Sequence, residues 1–577
     1  MVPFGLLGKT TVLVDVICRY IFEKPNEKRR LMVTAPSNKA VTVLASRVMD
    51  SVNHDIASLH AVLIGDADKL LGDDANSSKR SPLRSIFVFS YVQSLVEDYN
   101  KLKNTCLVWD HPTSFEMKAR VQRETKLLGI RIRRCFVLVP EAIEQCLKRI
   151  DSLIGKDNAA FDVKTITCVV EQLQGHMLAA PKEDIAKHLL ASADVIFCTL
   201  VTSGCIMIRE TSPISDLIVD EAAAATEPEL CIPFHLRPSR LLAVGDPLQL
   251  PSVVKSKRAE RLGLAKSLHE RLMYGCGRPY IMLNKQYRMN PTIASFPSYC
   301  FYESKVKNGK NVAASTYKAR ATLLDGKPFI FLRVKGFEEQ LPCGSYQNLE
   351  EAEAVVDLVK QLRDSQSQTD PQWFIAERIR VITFYRAQAT LLNKKFQQRR
   401  LGKVVAASVD SSQGCEAEIV ILSFVRSFKR GKSGRAAVVP SSFNSAGFLE
   451  DDRRMNVALT RAKHQLICVG NTTHFLKFQR ANTIKLLVRK SYDKGQIHDF
   501  PSSNVVRMQT KLVTSNEENG KRSSSNSLGN SINVSPQPKS ITSTKSANCC
   551  RKSHPHPNGG DWPSKRQKSE EKNLIAP

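Results

Sequence analysis

The sequence predicts an α/β protein with two parallel-sheet domains, and three observations support this prediction. Helically spaced segments such as 349–363 and 386–399 separate short apolar runs rich in Val, Ile and Leu. Alternating strands and helices favour parallel sheets that are covered on both faces. The runs also form two groups, before and after about residue 280; they are 31–36, 194–198, 215–220, 240–246, 379–384, 418–424 and 465–470.

The length and composition limit the class of protein. A chain of 577 residues is too long for one core, since a domain takes about 150 residues. Hydrophobic residues, at 42%, suffice for globular cores, and no apolar run reaches the roughly twenty residues of a membrane span. The N-terminus lacks the pattern of a secretory signal. Fifteen cysteines without regular CxxC pairs indicate reduced thiols in the cytosol or nucleus.

The charge balance favours a polyanionic partner. Lys and Arg number 84 against 56 Asp and Glu, which gives a formal net charge of +28. Contacts from such a surface to nucleic-acid phosphates release condensed counterions and are therefore favourable. Acidic proteins and anionic lipid would also suit this charge, so the count alone favours nucleic acid only modestly.

The chain organisation follows from these patterns. We expect a first domain over 1–280, interrupted by a largely helical insertion at about 50–190, and a second domain over 281–485. The composition becomes rich in Ser, Asn and Lys over 501–577, which predicts a disordered basic tail able to bind protein partners. Its basic clusters at 551–568 resemble a bipartite nuclear import signal, although a solvated tail has the same composition. The chain is therefore expected in the nucleus or cytoplasm.

The first chemical motif is Gly8-Lys9-Thr10, which opens an apparent helix over 11–22. In a phosphate loop the glycine lets backbone amides face phosphate, the lysine reaches the outer phosphates, and the hydroxyl binds Mg²⁺. A simple turn can give the same three residues, so this motif needs further support.

Two later motifs supply that support because each stands at the end of an apolar strand. Asp220-Glu221 follows Leu217-Ile218-Val219 and provides one carboxylate for Mg²⁺ and one to polarise water. The turn 245–251 holds Asp246 and Gln249 between Gly and Pro, which suits a sensor of the γ-phosphate. The order of the three motifs weakens the alternative that each is an ordinary loop.

With these motifs the chain resembles a superfamily-one helicase of the type that includes regulators of nonsense transcripts and senataxin-like enzymes. The resemblance runs from about residue 5 to 480, omits most of 50–190 and keeps motif order. Besides the phosphate loop and the turn at 245–251, it rests on five stretches: APSN at 35–38, VDEAAAATEPE at 219–229, QYRM at 286–289, VDSSQGCE at 409–416 and RMNVALTRAK at 454–463.

The resemblance implies two RecA-like domains with ATP and Mg²⁺ between them, a track of single-stranded RNA or DNA, and 5′-to-3′ movement by a monomer. It implies catalytic roles for Glu221 as base, Gln249 as sensor, and Arg288 and Arg461 as arginine fingers. It implies nucleotide contacts from Gly8, Lys9, Thr10, Thr11, Asp220, Tyr287 (near adenine), Gly414 and Glu416 (at the ribose). Thr10 and Asp220 would bind Mg²⁺. Strand contacts would come from Ser37, Asn38, Thr199 and Ser411.

The sequence departs from the family at its start. Pro3 and Leu6 stand where the family loop has glycines, and bulky Leu6 and Leu7 would crowd bound phosphate. A strand, an adenine-recognising glutamine and accessory domains usually precede this loop, so we expect a truncated N-terminus and exposed apolar surface on the first sheet. The rival hypothesis is therefore a non-catalytic nucleic-acid-binding protein. A small-molecule kinase is a third, but it would need none of the motifs after residue 280.

Overall fold

A computed structural model gives the fold. It describes residues 2–3, 8–22, 29–52, 60–71, 83–107, 115–136, 139–155, 163–179, 181–211, 213–313, 324–366, 378–429 and 445–500. The predicted tail over 501–577 lies outside the described residues. No helix in the described ranges combines the length and apolar character that crossing a membrane requires.

The first sheet has six strands in the order β1-β6-β5-β2-β4-β3, and every pairing is parallel. The four strands predicted before residue 280 are confirmed as β2, β4, β5 and β6. The strands are β1 (Val2–Pro3), β2 (Leu31–Ala35), β3 (Ala61–Leu63), β4 (Val195–Thr199), β5 (Asp216–Val219) and β6 (Arg240–Gly245).

Both faces of this sheet are covered, which explains why its central strands are continuously apolar. Every residue of β2, β4 and β5 is buried. One face packs against the first two helices, and the other against helices of the insertion and those that follow it. The helices of this domain are α1 (Lys9–Phe22), α2 (Asn38–Ser51), α3 (Ala67–Leu71), α4 (Tyr91–Leu107), α5 (Phe115–Arg133), α6 (Glu141–Gly155), α7 (Val163–Ala179), α8 (Lys182–Ser192), α9 (Ile206–Arg209), α10 (Glu227–Cys231), α11 (Lys257–Arg261) and α12 (Leu268–Glu270).

The region expected to be a helical insertion contains part of the sheet. Helices α4 to α7 make up most of its described residues, but β3 pairs with β4 from Ala61 to Leu63 and so completes the sheet edge. Helix α8 packs four buried residues into the core on the sheet face that the insertion helices cover. A strand of three residues is too short to show a periodicity, so β3 could not be predicted from the sequence.

The start of the first sheet corrects another expectation. We expected the strand before the phosphate loop to be missing, yet Val2 and Pro3 pair in parallel with Val244 and Gly245. The pairing extends over two residues only. The first residue of β6, Arg240, is exposed, whereas its last three residues are buried, so β1 covers only the end of β6 that leads into the turn at 245–251.

The second sheet is also parallel, in the order β13-β12-β14-β16-β9-β17. The three strands predicted after residue 280 are confirmed as β12, β14 and β16, but the sequence analysis missed β9, which lies between β16 and β17. The strands after residue 280 are β7 (Lys285–Gln286), β8 (Lys307–Asn308), β9 (Phe329–Val334), β10 (Phe337–Gln340), β11 (Tyr346–Asn348), β12 (Ile379–Thr383), β13 (Ala406–Ser408), β14 (Ala417–Ser423), β15 (Phe428–Lys429), β16 (Ala462–Gly470) and β17 (Ile497–Phe500).

Helices again cover both faces of the second sheet, and the two predicted helical segments are confirmed as α15 and α16. On one face Phe424 stacks between Phe331 and Phe384, with ring centroids 5.7 and 5.5 Å apart, and meets Phe475 edge-on. The helices are α13 (Pro291–Phe301), α14 (Lys310–Ala313), α15 (Leu349–Gln366), α16 (Arg386–Gln398), α17 (Asp452–Leu459), α18 (Thr472–Phe475) and α19 (Asn482–Asp493).

The aromatic stack predicts where the second domain is most sensitive to truncation. Phe424→Ala removes a fully buried ring with three aromatic neighbours and should lower the free energy of unfolding by about 3–5 kcal/mol. Phe89→Ala, at a half-exposed ring in the first domain, is the matched control and should cost far less. Urea denaturation measures both, and equal losses would contradict the assignment of Phe424 to the core.

Candidate functional site

The site begins at Gly8-Lys9-Thr10, where the first helix starts. Gly8 has φ of +122°, a conformation that only glycine adopts readily, and α1 starts at the next residue. The Lys9 side chain is buried, and its Nζ donates to Glu221 Oε2 at 3.1 Å. Leu6 and Leu7, the bulky departures from the family loop, lie outside the described residues, so the crowding expected from them stays a prediction.

Three carboxylates surround that lysine because two neighbouring parallel strands end at the same edge. Asp220 and Glu221 follow β5, and Asp246 follows β6, which pairs with β5. Gly245 lets the two exits approach, since a Cβ there would lie 2.6 Å from the Ala223 backbone nitrogen. The motifs that are 25 residues apart in sequence therefore form one cluster around Lys9.

The backbone at Glu221 is strained. Its φ of +50° and ψ of +35° place a non-glycine residue in the left-handed region, which costs free energy. Its amide donates to Asp220 Oδ1 at 2.9 Å, which helps to hold the turn. Strain of this kind is concentrated at functional sites, and here it directs the Glu221 carboxylate toward Lys9.

Burial dominates the electrostatics of the cluster. Burial disfavours the charge of Lys9, but Glu221, Asp220 and Asp246 outweigh it and raise the lysine pKa. Burial and the neighbouring Glu221 raise the pKa of Asp220 to about 6, despite the opposing effect of Lys9. Burial also raises the pKa of Asp246. The two aspartates are thus desolvated carboxylates whose ionised forms a further cation would stabilise.

The predicted sensor is held in place by Asp246. Gln249 is buried, and its Nε2 donates to Asp246 Oδ2 at 2.6 Å. The Leu248 amide donates to the other carboxylate oxygen at 3.1 Å. The turn at 245–251 is therefore braced by its own aspartate, and Gln249 lies within the carboxylate cluster.

The second domain contributes arginines to the same region. Arg288 donates through Nε to Glu416 Oε2 at 2.7 Å and through Nη1 to the Thr460 carbonyl at 3.0 Å. Glu416 also accepts from Lys463 at 2.6 Å. Burial alone would raise the pKa of Glu416, but the two cations outweigh it and the pKa falls. The predicted ribose contact is therefore an ionised carboxylate already paired with Arg288.

Arg461, the second predicted arginine finger, is buried. Its guanidinium donates to the Val457 carbonyl at 2.9 Å and to the Thr460 hydroxyl at 2.9 Å. Burial and the charge of Arg288 lower its pKa to about 9, while Glu221 of the first domain opposes this shift. The guanidinium therefore lies within the electrostatic reach of both Glu221 and Arg288.

The remaining predicted nucleotide residues lie around this cluster. Thr10 is half-buried and Thr11 exposed in the first turn of α1, and Gly414 has φ of +72°. Tyr287 is 49% exposed, and its ring packs on Gly309, where a Cβ would lie 2.3 Å from two ring carbons. Gly309 was missed by the sequence analysis, because nothing local shows that a ring 22 residues away covers it.

The predicted strand-contacting residues differ in accessibility. Ser37 caps α2 by accepting from the Ala40 amide at 3.2 Å, and Asn38 is half-buried beside it. Ser411 is exposed and bonded to Ser408. Thr199 is only 8% exposed, and its hydroxyl pairs with Thr202 at 2.8 Å, so its visible role is to hold the turn after β4.

A large groove on the second domain was not predicted. It encloses about 1480 Å³ at the carboxyl ends of β12 and β14, and Val253 of the first domain also lines it. Its exposed cations are Arg386, Lys394, Lys429 and Lys477. These four cations come from segments that are far apart in sequence and carry no local signature. Of the other lining residues, Asp410 and Arg454 belong to the motifs at 409–416 and 454–463.

The groove combines positive charge with aromatic rings. Its two acidic side chains are already paired, Glu338 with Arg426 at 2.7 Å and Asp410 with Arg454 at 3.1 Å. The Arg426 guanidinium lies over the Tyr346 ring at 4.5 Å, and that of Arg454 lies over Phe448 at 4.7 Å. Such a lining suits a flexible polyanion that also offers flat rings.

The carboxylate cluster can hold Mg²⁺ together with a nucleotide. Among the described residues no group of three His, Cys, Asp or Glu side chains forms a metal centre by itself. Mg²⁺, however, is commonly held by one or two carboxylates plus substrate phosphates, and Asp220 is a desolvated carboxylate in that position. Thr10, the other predicted ligand, stands in the first turn of α1 beside Lys9.

The chain is similar in sequence to known helicases. Two family models, both described as "AAA domain", match residues 3–257 and 264–473. Helicase sen1 of Schizosaccharomyces pombe is 34% identical over 313 residues, which cover 52% of this chain and 18% of that protein. A regulator of nonsense transcripts 1 homolog of Drosophila melanogaster is 35% identical over 347 residues, or 58% of this chain and 27% of that protein.

An archaeal relative is more distant but covers more of both chains. The Methanocaldococcus jannaschii protein named uncharacterized ATP-dependent helicase MJ0104 is 27% identical over 475 residues, which cover 80% of this chain and 64% of that protein. The chain thus spans about a fifth to a quarter of the sen1 and Drosophila proteins.

The raised pKa of Asp220 predicts that Mg²⁺ binding depends on pH. With a pKa of about 6, the carboxyl is mostly ionised at pH 7.5 but only about one tenth ionised at pH 5. The Mg²⁺-dependent part of ADP binding should therefore weaken by roughly tenfold across this range.

Titration calorimetry measures the affinity for Mg–ADP at both pH values, for the unmodified chain and for Asp220→Asn. Because the phosphates also titrate, the informative quantity is the difference between the two proteins. The variant should bind weakly at pH 7.5 and approach the unmodified chain at pH 5. A difference that does not change with pH would contradict the role assigned to Asp220.

Proposed function

Because this chain belongs to the superfamily-one helicases of the Sen1 and Upf1 type, we propose that it is an ATP-driven motor that moves along single-stranded RNA or DNA. One observation supports the proposal above all others. The ends of β5 and β6 bring Asp220, Glu221 and Asp246 around Lys9, within the electrostatic reach of Arg461 from the second RecA-like domain.

In this proposal the first domain holds Mg–ATP, which supplies the phosphoryl group that is transferred to water. The amides at the start of α1 and the ammonium of Lys9 would bind the phosphates, and Thr10 and Asp220 would hold the metal ion. Lys9 is paired with Glu221 in this structure. Phosphate competes for the same ammonium, so nucleotide binding would release the Glu221 carboxylate to accept a proton from the attacking water.

The second domain stabilises the charge that develops during transfer. Arg288 and Arg461 are preorganised by bonds to the Thr460 carbonyl and hydroxyl, so little reorganisation is needed when they act. Gln249 would sense the γ-phosphate, Tyr287 would stack near adenine, and Glu416 and Gly414 would lie near the ribose. Closing and reopening of the cleft between the domains would then alternate the grip on the strand.

We assign the strand to the groove on the second domain and to the exposed residues near Ser37 and Ser411. The groove offers lysines and arginines for phosphates and rings for stacking, neither of which distinguishes one base sequence from another. The motor should therefore accept many sequences and bind more weakly as salt rises. Movement in the 5′-to-3′ direction is carried over from the family resemblance.

The rival function is a nucleic-acid-binding protein that no longer hydrolyses ATP. The altered phosphate loop favours it, whereas the strained Glu221 favours turnover. Its carboxylate lies 3.1 Å from the Lys9 ammonium, and a protein that only binds a strand has no use for a carboxylate held at that place. For the tail over 501–577 we propose nuclear import through 551–568 and contacts to protein partners; the motor itself is proposed to act as a monomer.

Strand-stimulated hydrolysis tests the proposal. The purified chain should hydrolyse ATP faster when single-stranded RNA or DNA is present, and Glu221→Gln should lower turnover by at least about a hundredfold, because water then lacks its base. Glu183→Gln, at an exposed position on α8, is the matched control and should not change turnover. Phosphate release measures all three proteins. Strand binding without turnover in the unmodified chain would favour the rival function.

The groove makes its own prediction. Lys394→Ala removes one exposed cation from the groove and should weaken binding of oligo-U and oligo-dT by a similar factor. The slope of log affinity against log salt should decrease by about one unit. Lys187→Ala, an exposed lysine on α8, serves as the control. Fluorescence anisotropy at several salt concentrations measures both, and an unchanged slope for Lys394→Ala would place the strand elsewhere.

A further inference from the structure

A buried tyrosine joins the sensor turn of the first domain to the second domain. Tyr302 follows α13 and is 3% exposed. Its hydroxyl donates to Asp246 Oδ2 at 2.8 Å and accepts from Asn456 Nδ2, on α17, at 2.7 Å. Neither its position after α13 nor its neighbours in sequence suggested a role for it.

The contacts fix the direction of this chain of hydrogen bonds. Asn456 Nδ2 also donates to the Leu248 carbonyl at 2.9 Å, and a carbonyl can only accept. The amide nitrogen is therefore the atom that faces Tyr302. The single hydroxyl proton of Tyr302 is then directed to the Asp246 carboxylate, so Asn456, Tyr302 and Asp246 form one ordered chain from the second domain to the first.

The bridge and the sensor share an atom. Asp246 Oδ2 accepts from Tyr302 at 2.8 Å and from Gln249 Nε2 at 2.6 Å. When Gln249 turns toward a γ-phosphate it must give up or lengthen its bond to that oxygen, and Tyr302 then becomes the main side-chain donor to Asp246. A change at the phosphate would thus alter the grip of the second domain on the turn.

The other end of the bridge leads to an arginine finger. Asn456 lies on α17, which ends at Leu459, and Arg461 follows two residues later. The Arg461 guanidinium is tied back to the carbonyl of Val457, the residue after Asn456. A shift of Asn456 relative to the first domain would therefore shift Arg461 as well.

Two other polar contacts across the domains lack this connection. Arg453 donates to Glu270 at 3.0 Å, and Lys39 donates to the Cys415 thiol at 2.9 Å. Both lie outside the turn at 245–251, and the side chains of Arg453 and Glu270 are partly exposed. They can hold the domains together, but neither touches the group that senses the phosphate.

We propose that Tyr302 is a positioning residue that couples the γ-phosphate sensor to the closure of the two domains, and thereby to the grip on the strand. The inference rests on the proposed function, since it assumes that the site binds ATP and that the chain binds a strand. The hydroxyl is the essential group, because a phenylalanine ring would fill the same space and lose the hydrogen bonds to Asp246 and from Asn456.

The test measures linkage and needs no turnover. Fluorescein-labelled oligo-U is titrated with the full chain in the absence of nucleotide, with Mg–ATPγS and with Mg–ADP. In the unmodified chain the strand affinity should differ by about tenfold between ATPγS and the nucleotide-free state, which is a usual size for coupling between sites. In Tyr302→Phe that ratio should fall to near one, while the affinities for ATPγS alone and strand alone stay within about threefold.

Two further variants show whether the loss of linkage is specific to the bridge. Tyr299→Phe makes the same substitution at an exposed ring on α13 and should keep the linkage. Asn456→Ala removes the other end of the bridge and should lose the linkage to the same extent. Combining it with Tyr302→Phe should cause no further loss, because both act through one chain of bonds. Asn456→Ala also carries the test if Tyr302→Phe fails to fold.

The outcomes separate this inference from the proposed function. An intact linkage in Tyr302→Phe, or equal losses of both separate affinities with an unchanged ratio, would overturn the positioning role. An unmodified chain whose strand affinity does not respond to ATPγS would overturn it too. If linkage is present and depends on Tyr302 but no ATP is hydrolysed, the inference stands and the proposed function fails.

Discussion

The ion pair between the buried Lys9 and the partly exposed Glu221 is the interaction on which the rest of the site depends. Without the lysine, the desolvated Asp220 and Asp246 would lose the cation that opposes the rise of their pKa values, and their ionised forms would be less stable. The lysine keeps the cluster stable but does not neutralise it. Mg²⁺ can neutralise the remaining negative charge, and phosphate can replace Glu221 as the partner of Lys9. One arrangement thus provides both stability in the empty site and affinity for the nucleotide.

Two features of the fold create this arrangement of charged side chains. Parallel strands bring Asp220 and Asp246 to one edge, and Gly245 allows their turns to approach. The second domain then meets this edge through α17 and the residue after α13. Because Tyr302 and Asn456 contact the turn that carries Gln249, the sensor belongs to both domains at once. The structure therefore links the site's chemistry to the relative position of the domains through a buried hydroxyl.

Much of this could be predicted from the sequence, because some signals are local. Long apolar strands and motifs at strand ends are visible in short windows, and all seven predicted strands are present. Strand β3 has three residues and is too short to show a periodicity. Strand β9 was not predicted, although five of its six residues are apolar. Thr199 was expected to contact the strand but is buried against Thr202. The roles given to Lys9, Glu221 and the arginines stay predictions, although the structure gathers them as the motifs imply.

What the sequence could not show depends on distant segments. The groove, the packing of Tyr287 on Gly309 and the Tyr302 bridge each join residues that are far apart in the chain, and none has a distinctive spacing.

Strand displacement shows whether the chain is an ATP-driven motor on a single strand. A duplex with a 5′ single-stranded overhang and one with a 3′ overhang are each incubated with the chain and Mg–ATP. If the chain is such a motor, ATP should release the displaced strand from the 5′-overhang duplex only. No release from either duplex, although the chain binds the overhang, would show that it is not.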